Sequence, residues 1–318
     1  MHEQIFISGV WWSGAYVVAD IANMNGYDLG RRLNSRNDNV FAWKSGPFYS
    51  MDGNCSPGSI QDILETKWPF DSVKEEDSIN FRNRVIQARS PNEPKHNCCK
   101  LSTLSLMTPL IRHSFKDAPI ITVIRNGIDI ATYESDNYFL RLLMQDRARR
   151  GTTLNDIDFV SAIGHLFTAI GDLRWKIQPV SDVGWNFQAR VKPILWNALY
   201  SLRWAMMLDR LNLDIQKHNI QNHHVIKFEN LVLQDPEEIE KLQSVLGISS
   251  KLIMPPLPKE EVFKYRASIL PALDSDDEST RNGAARILKI VYEICKPYLE
   301  KFEYTETIDL FESLEAIK

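Results

Sequence analysis

Three short apolar runs punctuate the chain: Ile5-Phe6-Ile7, Ile120-Ile121-Thr122-Val123-Ile124 and His224-Val225-Ile226-Lys227-Phe228. Such runs, short and rich in β-branched residues, predict strands buried on both faces, as in parallel sheets. The first leads to Gly9 and then Ser13-Gly14, after which residues 16–24 read as a helix ended at Gly26. The second stops at Arg125-Asn126-Gly127, and residues 128–134 continue as helix. A strand, a tight turn and a helix N-terminus gather backbone N–H groups and the positive end of a helix dipole at one spot. The pattern suits an ordinary βα turn, and it suits a phosphate-binding loop for a nucleotide. Two such units side by side are what a doubly wound sheet offers at a ligand crevice.

The remaining pattern is helical or irregular. Residues 73–89 read as a charged helix broken off by Pro91 and Pro94, and another helix is expected through Leu104, Met107 and Leu110 to His113. Residues 193–212 place Trp196, Tyr200, Trp204 and Leu208 on one stripe, a core-packing face. Asp235-Pro236-Glu237-Glu238 opens a helix with an N-cap, a first-turn proline and acids at the dipole's positive end, and Leu246-Gly247-Ile248 stops it. Residues 254–278 read as a loop region between a proline-rich and an acidic stretch, and residues 280–299 as the last helix. Periodicity loosens over 137–192, which reads as an insertion over the sheet with a solvated basic run at Arg147, Arg149 and Arg150.

Composition narrows the functional classes. The length of 318 residues fits one large α/β domain with insertions, or two smaller ones, and is read as a single domain, 1–318; 37 Lys and Arg against 41 Asp and Glu give a net charge of −4. That balance argues against duplex nucleic acid as the main partner. Cys55, Cys98, Cys99 and Cys295 lack zinc-ligand spacing, and His223-His224 have no third ligand spaced to complete a metal site. Reduced thiols, with no signal peptide and no apolar run near ~18 residues, predict a cytoplasmic protein without a membrane anchor.

Three separated pieces then resemble the sulfotransferases that use 3′-phosphoadenosine 5′-phosphosulfate (PAPS). Gly9-Val10-Trp11-Trp12-Ser13-Gly14-Ala15-Tyr16 is similar to the family's 5′-phosphosulfate loop. Lys100-Leu101-Ser102-Thr103 and the helix after it resemble the family's Lys-Asp-Pro-Arg segment, and Val123-Ile124-Arg125-Asn126-Gly127-Ile128-Asp129 resembles its 3′-phosphate motif. Val225-Ile226-Lys227-Phe228-Glu229-Asn230-Leu231, with Asp235-Pro236 and Leu246-Gly247-Ile248, resembles its Tyr-Glu-Asp-Leu strand and the helix that follows. Order and spacing agree over 4–134 and 195–248.

The resemblance implies a three-layer α/β fold of the P-loop type, with a central parallel sheet flanked by helices. It implies a transferase that moves the sulfuryl group of PAPS to a hydroxyl or amine of a small molecule or glycan and releases 3′,5′-bisphosphoadenosine (PAP). Ser13, Gly14, Ala15 and Tyr16 would hold the 5′-phosphate, and Arg125 would fork onto the 3′-phosphate. The chain departs from the family where its mechanism is most exposed. Trp12 occupies the place of a loop cation, Tyr133 that of a 3′-site serine, and Phe228 that of a tyrosine that touches adenine, which it could stack on but not hydrogen-bond. Either Lys44 or Lys100 replaces the missing cation, or the protein is a weak or inactive nucleotide-binding homologue. His96 is a candidate base, because imidazole titrates near neutrality. A P-loop phosphotransferase or kinase is the rival enzyme, although residues 9–16 lack the Gly-Lys-Ser/Thr ending that holds β- and γ-phosphates.

Overall fold

The computed structural model describes residues 1–9, 13–30, 73–89, 95–100, 104–105, 107–132, 197, 201, 204–205, 207–209, 211–268 and 270–314. In chain order the elements are β1 (Gln4–Gly9), α1 (Ala15–Met24), α2 (Glu75–Gln87), β2 (Asn97–Lys100), α3 (Thr108–Ser114), β3 (Ile120–Ile124) and α4 (Gly127–Thr132). Then follow β4 (His223–Lys227), α5 (Phe228–Val232), α6 (Pro236–Leu246), a 3-10 turn (Lys259–Glu261), α7 (Tyr265–Ser268), α8 (Leu270–Leu273), α9 (Glu278–Lys301) and α10 (Thr305–Ser313). They fall into two compact units, one of Met1–Pro57, Lys67–Arg125 and Met207–Val262, the other of Gly58–Thr66, Asn126–Met206 and Phe263–Lys318.

The first unit is a four-stranded sheet in the order β2-β1-β3-β4, every neighbouring pair parallel. Side chains of a strand alternate between faces, and here each face meets helices. Ile5, Ile7, Cys98, Ile121, Val123 and Ile226 enter one apolar cluster with Val18 and Ile21 of α1 and Leu242 and Leu246 of α6. On the opposite face Phe6 meets Phe81 of α2, ring centroids 6.1 Å apart, and Phe115 at 5.1 Å. The described residues therefore form an α/β fold with helices on both sides of a parallel sheet. No helix among them is long and apolar enough to cross a membrane.

β2 is a strand the apolar pattern does not announce. Its residues, Asn97-Cys98-Cys99-Lys100, are all buried but contain no branched aliphatic side chain. Pairing places it: Gln4 to Ile7 lie opposite Asn97 to Lys100, and on the outer side Cys98 N donates to Asp28 O at 2.8 Å. The helix expected through Leu104 to His113 begins only at Thr108, with Pro109 in its first turn, where a missing N–H costs nothing. The strand expected at 224–228 is β4, which runs His223–Lys227, so Phe228 is the first residue of a short helix rather than a strand residue.

α6 follows its sequence signals. Asp235 Oδ1 accepts from Glu238 N at 3.0 Å, and Gly247 closes the helix with φ 64°. Gly247 N and Ile248 N bond the carbonyls of Ser244 and Gln243, a pattern in which the left-handed residue satisfies the last carbonyls.

The second unit is helical among its described residues. The stretch expected as loop over 254–278 instead carries the 3-10 turn, α7 and α8, and α10 follows the helix expected to be last. Trp204 packs edge-on against Tyr298 at 5.4 Å, and Tyr292 stacks on Phe311 at 5.1 Å. Asp129 Oδ1 accepts from Tyr265 N at 3.0 Å, and Asn126 Nδ2 donates to Thr307 Oγ1 at 2.8 Å, so buried polar groups tie α4 to the C-terminal helices. Trp196, Tyr200 and the insertion at 137–192 lie outside the described residues.

A polar chain, buried at Ser8 and Thr122 and half-buried at His223, crosses three strands of the sheet. Ser8 Oγ lies 2.8 Å from Thr122 Oγ1, which lies 2.9 Å from His223 Nε2. Burial lowers the His223 pKa from 6.5 to about 4, with the neighbouring His224 adding to the effect. Between about pH 4 and 6.5 the unfolded chain binds this proton and the folded chain does not, so folding stability should rise with pH across that window and level off above it. Urea denaturation of the protein and of His223→Gln across that range should give a shallower rise for the variant; identical slopes would remove His223 as a contributor. Asp235→Ala should cost about 1 kcal/mol in the same measurement through loss of the α6 cap.

Candidate anion-binding site

Because the strands are parallel, Gly9, Lys100, Ile124 and Lys227 all end on one edge of the sheet, with Ile7 opposite Lys100, Gly9 opposite Val123 and Ile124 opposite Lys227. The chain leaves β1 for β2 on one side and returns to β3 on the other. Outside the carboxyl ends of β1 and β3 lies the crevice where open α/β sheets take their ligands. The segments that leave those two ends begin the turn to α1 and Arg125.

The turn is built by close approach. A Cβ on Gly9 would stand 2.1 Å from Ser13 Oγ and 2.9 Å from Val123 O, so only glycine lets this loop fold onto β3. Ser13 is 1% exposed, and its Oγ has no hydrogen-bond partner among the described residues. A buried hydroxyl left unsatisfied costs about 1–3 kcal/mol, a penalty that an anion accepting from Oγ–H would remove. Gly14 is left-handed at φ 82°, and no side chain caps α1 behind it. The first N–H groups of a helix have no acceptor within the helix, so the start of α1 is suited to an oxyanion.

Phe228 joins this turn to Arg125. A Cβ on Gly14 would stand 2.0 Å from Phe228 Cδ2. The Arg125 guanidinium lies over the same ring, 4.8 Å from its centroid, within cation–π range. Arg125 is 1% exposed and Phe228 fully buried. Lys100, at the end of β2, is 3% exposed and brings a second buried cation to this edge.

Ser13, Gly14, Ala15, Tyr16, Lys100, Arg125 and Phe228 are thus placed along one edge. Trp12, Lys44 and Tyr133 lie outside the described residues. Two expectations need correction. His96 precedes β2 and stands at its amino end, where Nδ1 is 2.9 Å from His2 O and the ring meets Tyr27 edge-on at 5.8 Å. A strand advances about 3.3 Å per residue, so His96 and Lys100 are at opposite edges of the sheet, and His96 is not brought to the site as a base. Phe228 has no exposed face on which an adenine could stack; it supports the site from beneath.

Ser8 and Thr122 were not signalled by the sequence as polar partners, because within their apolar runs they read as strand residues. A small cleft among Gln4, Asp28, Arg89, Asn97 and Cys98 opens at the amino edge, away from these residues. Among the described residues no group of three or more His, Cys, Asp or Glu side chains is arranged to hold a metal.

Gly14→Ala should be strongly destabilising, because the new Cβ meets the Phe228 ring and the backbone is left-handed; a loss of more than ~1 kcal/mol is expected in urea denaturation. Gly283→Ala, inside α9 with nothing within 4 Å of the new Cβ, should stabilise by about 0.5–1 kcal/mol. Equal effects at the two glycines would show that neither steric surroundings nor left-handed backbone governs them. Compared with protein-family models, curated proteins and solved structures, the chain has no match.

Proposed function

We propose that the protein is a sulfotransferase that moves the sulfuryl group of PAPS to a hydroxyl or amine of a small molecule or glycan. The observation that carries this reading is the Phe228 ring at the carboxyl edge, which touches both Gly14, at the uncapped α1 N-terminus beside the unpartnered Ser13 hydroxyl, and the Arg125 guanidinium. The residues fit a ligand with two separated anionic groups. They lie where the resemblance to PAPS-dependent sulfotransferases expects the 5′- and 3′-phosphates.

When bound, PAPS would supply a sulfuryl group whose bond to the 5′-phosphate oxygen breaks as its bond to the acceptor oxygen or nitrogen forms, leaving PAP, with the acceptor's proton passing to water. Ser13 and the first N–H groups of α1 hold the 5′-phosphate and neutralise charge there. Arg125 orients the nucleotide through its 3′-phosphate. Lys100, at the end of the strand next to β1, would supply the cation that Trp12 does not and would offset the charge that develops on the leaving oxygen. These residues act through position and fixed charge, which is what in-line transfer of an anionic group requires.

Thermal shift with PAP and with Mg-ATP tests the reading. A ligand at about 100 times its dissociation constant adds ~2.7 kcal/mol of stability. PAP is expected to raise the melting temperature of the protein and not of Arg125→Ala. Stabilisation by Mg-ATP alone would sink the proposal in favour of a phosphotransferase. PAP binding without sulfate transfer to any of a broad acceptor panel would favour a nucleotide-binding homologue.

A further inference from the structure

We infer that Phe228 is a positioning residue: its ring sets the α1 N-terminus and the Arg125 guanidinium relative to each other, and so selects ligands with two anionic groups over ligands with one. The inference rests on the proposed function for the identity of the two groups. Its geometry stands on three segments of one unit. Gly14, at the start of α1, lies so close to the ring that a Cβ there would be 2.0 Å from Cδ2 and 2.3 Å from Cε2. Arg125, leaving β3, stands over the ring at 4.8 Å. Phe228 itself, opening α5 directly after β4, is fully buried.

A buried ring between two such neighbours has little freedom to move. Interiors are close-packed, and a change of one methylene is felt by the surroundings. An arginine side chain has several rotatable bonds and would lose much rotamer freedom on binding a phosphate. Seated on an aromatic face, it has lost part of that freedom before the ligand arrives, and pre-ordering of this kind raises affinity for the group it holds. The same ring abuts the glycine that begins the anion-binding helix, so a shift of the ring alters the spacing between the helix N-terminus and the guanidinium. Selection by spacing discriminates between one anionic group and two. It leaves affinity for a single 5′-phosphate nearly untouched.

The test compares adenosine 3′,5′-bisphosphate with adenosine 5′-monophosphate by isothermal titration calorimetry on the wild type, Phe228→Leu and Phe228→Tyr. The leucine variant removes the aromatic face, and the tyrosine variant keeps it. Phe228→Leu is expected to lower the preference for the bisphosphate about tenfold or more, the scale of a lost cation–π contact together with lost pre-ordering. Phe228→Tyr should retain it. Arginine side-chain proton signals shielded by the ring should be present in the wild type and in Phe228→Tyr, absent in Phe228→Leu, and assigned by their loss in Arg125→Lys.

A folded Phe228→Leu that keeps the wild-type preference would overturn the inference, as would a wild type without shielded arginine signals. If the shielded signals are present but the wild type binds both nucleotides equally, the 3′-phosphate assignment of the proposed function fails and the selectivity falls with it. That result differs from a failure of the ring to hold Arg125, which the spectra report without any ligand.

Discussion

Strands that all point the same way must deliver their carboxyl ends to one edge, and in this protein that edge receives Gly9, Lys100, Arg125 and Phe228 from four separate parts of the sequence. The position of β1 between β2 and β3 adds the second constraint, because the chain must cross from one side of β1 to the other. A gap between outgoing connections is the geometric result, and the turn into α1 fills its rim. This placement decides which residues can meet at the site, and side-chain packing decides how they meet. His96 shows the same constraint working in reverse. It is four residues from Lys100 in sequence and at the far edge of the sheet.

The edge is costly to build. Lys100 and Arg125 are charges taken almost entirely out of water, and the buried Ser13 hydroxyl has no partner among the described residues; desolvating such groups is unfavourable. The stabilising features lie elsewhere in the same unit: aliphatic side chains on the α1 face, the Phe6–Phe81–Phe115 cluster on the other, and the doubly capped α6.

Much of the frame was legible in the sequence. β1, β3 and β4 carry branched aliphatic residues between polar turns, and α6 announces both its ends through Asp235, Pro236 and Gly247. Arg125 could be placed because it directly follows a recognisable strand, and Ser13 and Gly14 because they lie between such a strand and a helix start. β2 was hidden, since Asn97-Cys98-Cys99-Lys100 has no strand-like composition and owes its conformation to pairing with β1. The short helices near 254–278 were equally silent, their composition being that of turns. The role of Phe228 depends on a ring packing against residues more than a hundred positions away, and no local pattern encodes that. Lys100 reaches the carboxyl edge on the strand paired with β1.

The hydrogen-bonded line from Ser8 through Thr122 to His223 has a property of its own. Each hydroxyl has a single proton to give, so the two must turn together. If the imidazole nitrogen accepts, Thr122 donates to it and Ser8 donates to Thr122. If that nitrogen carries the proton, Thr122 accepts from it and donates to Ser8, and Ser8 turns to the carbonyl of Ile121, 3.3 Å away. The choice of tautomer at one end of the sheet therefore sets the direction of a dipole chain that ends beside Gly9, and three strands share one binary electrical state.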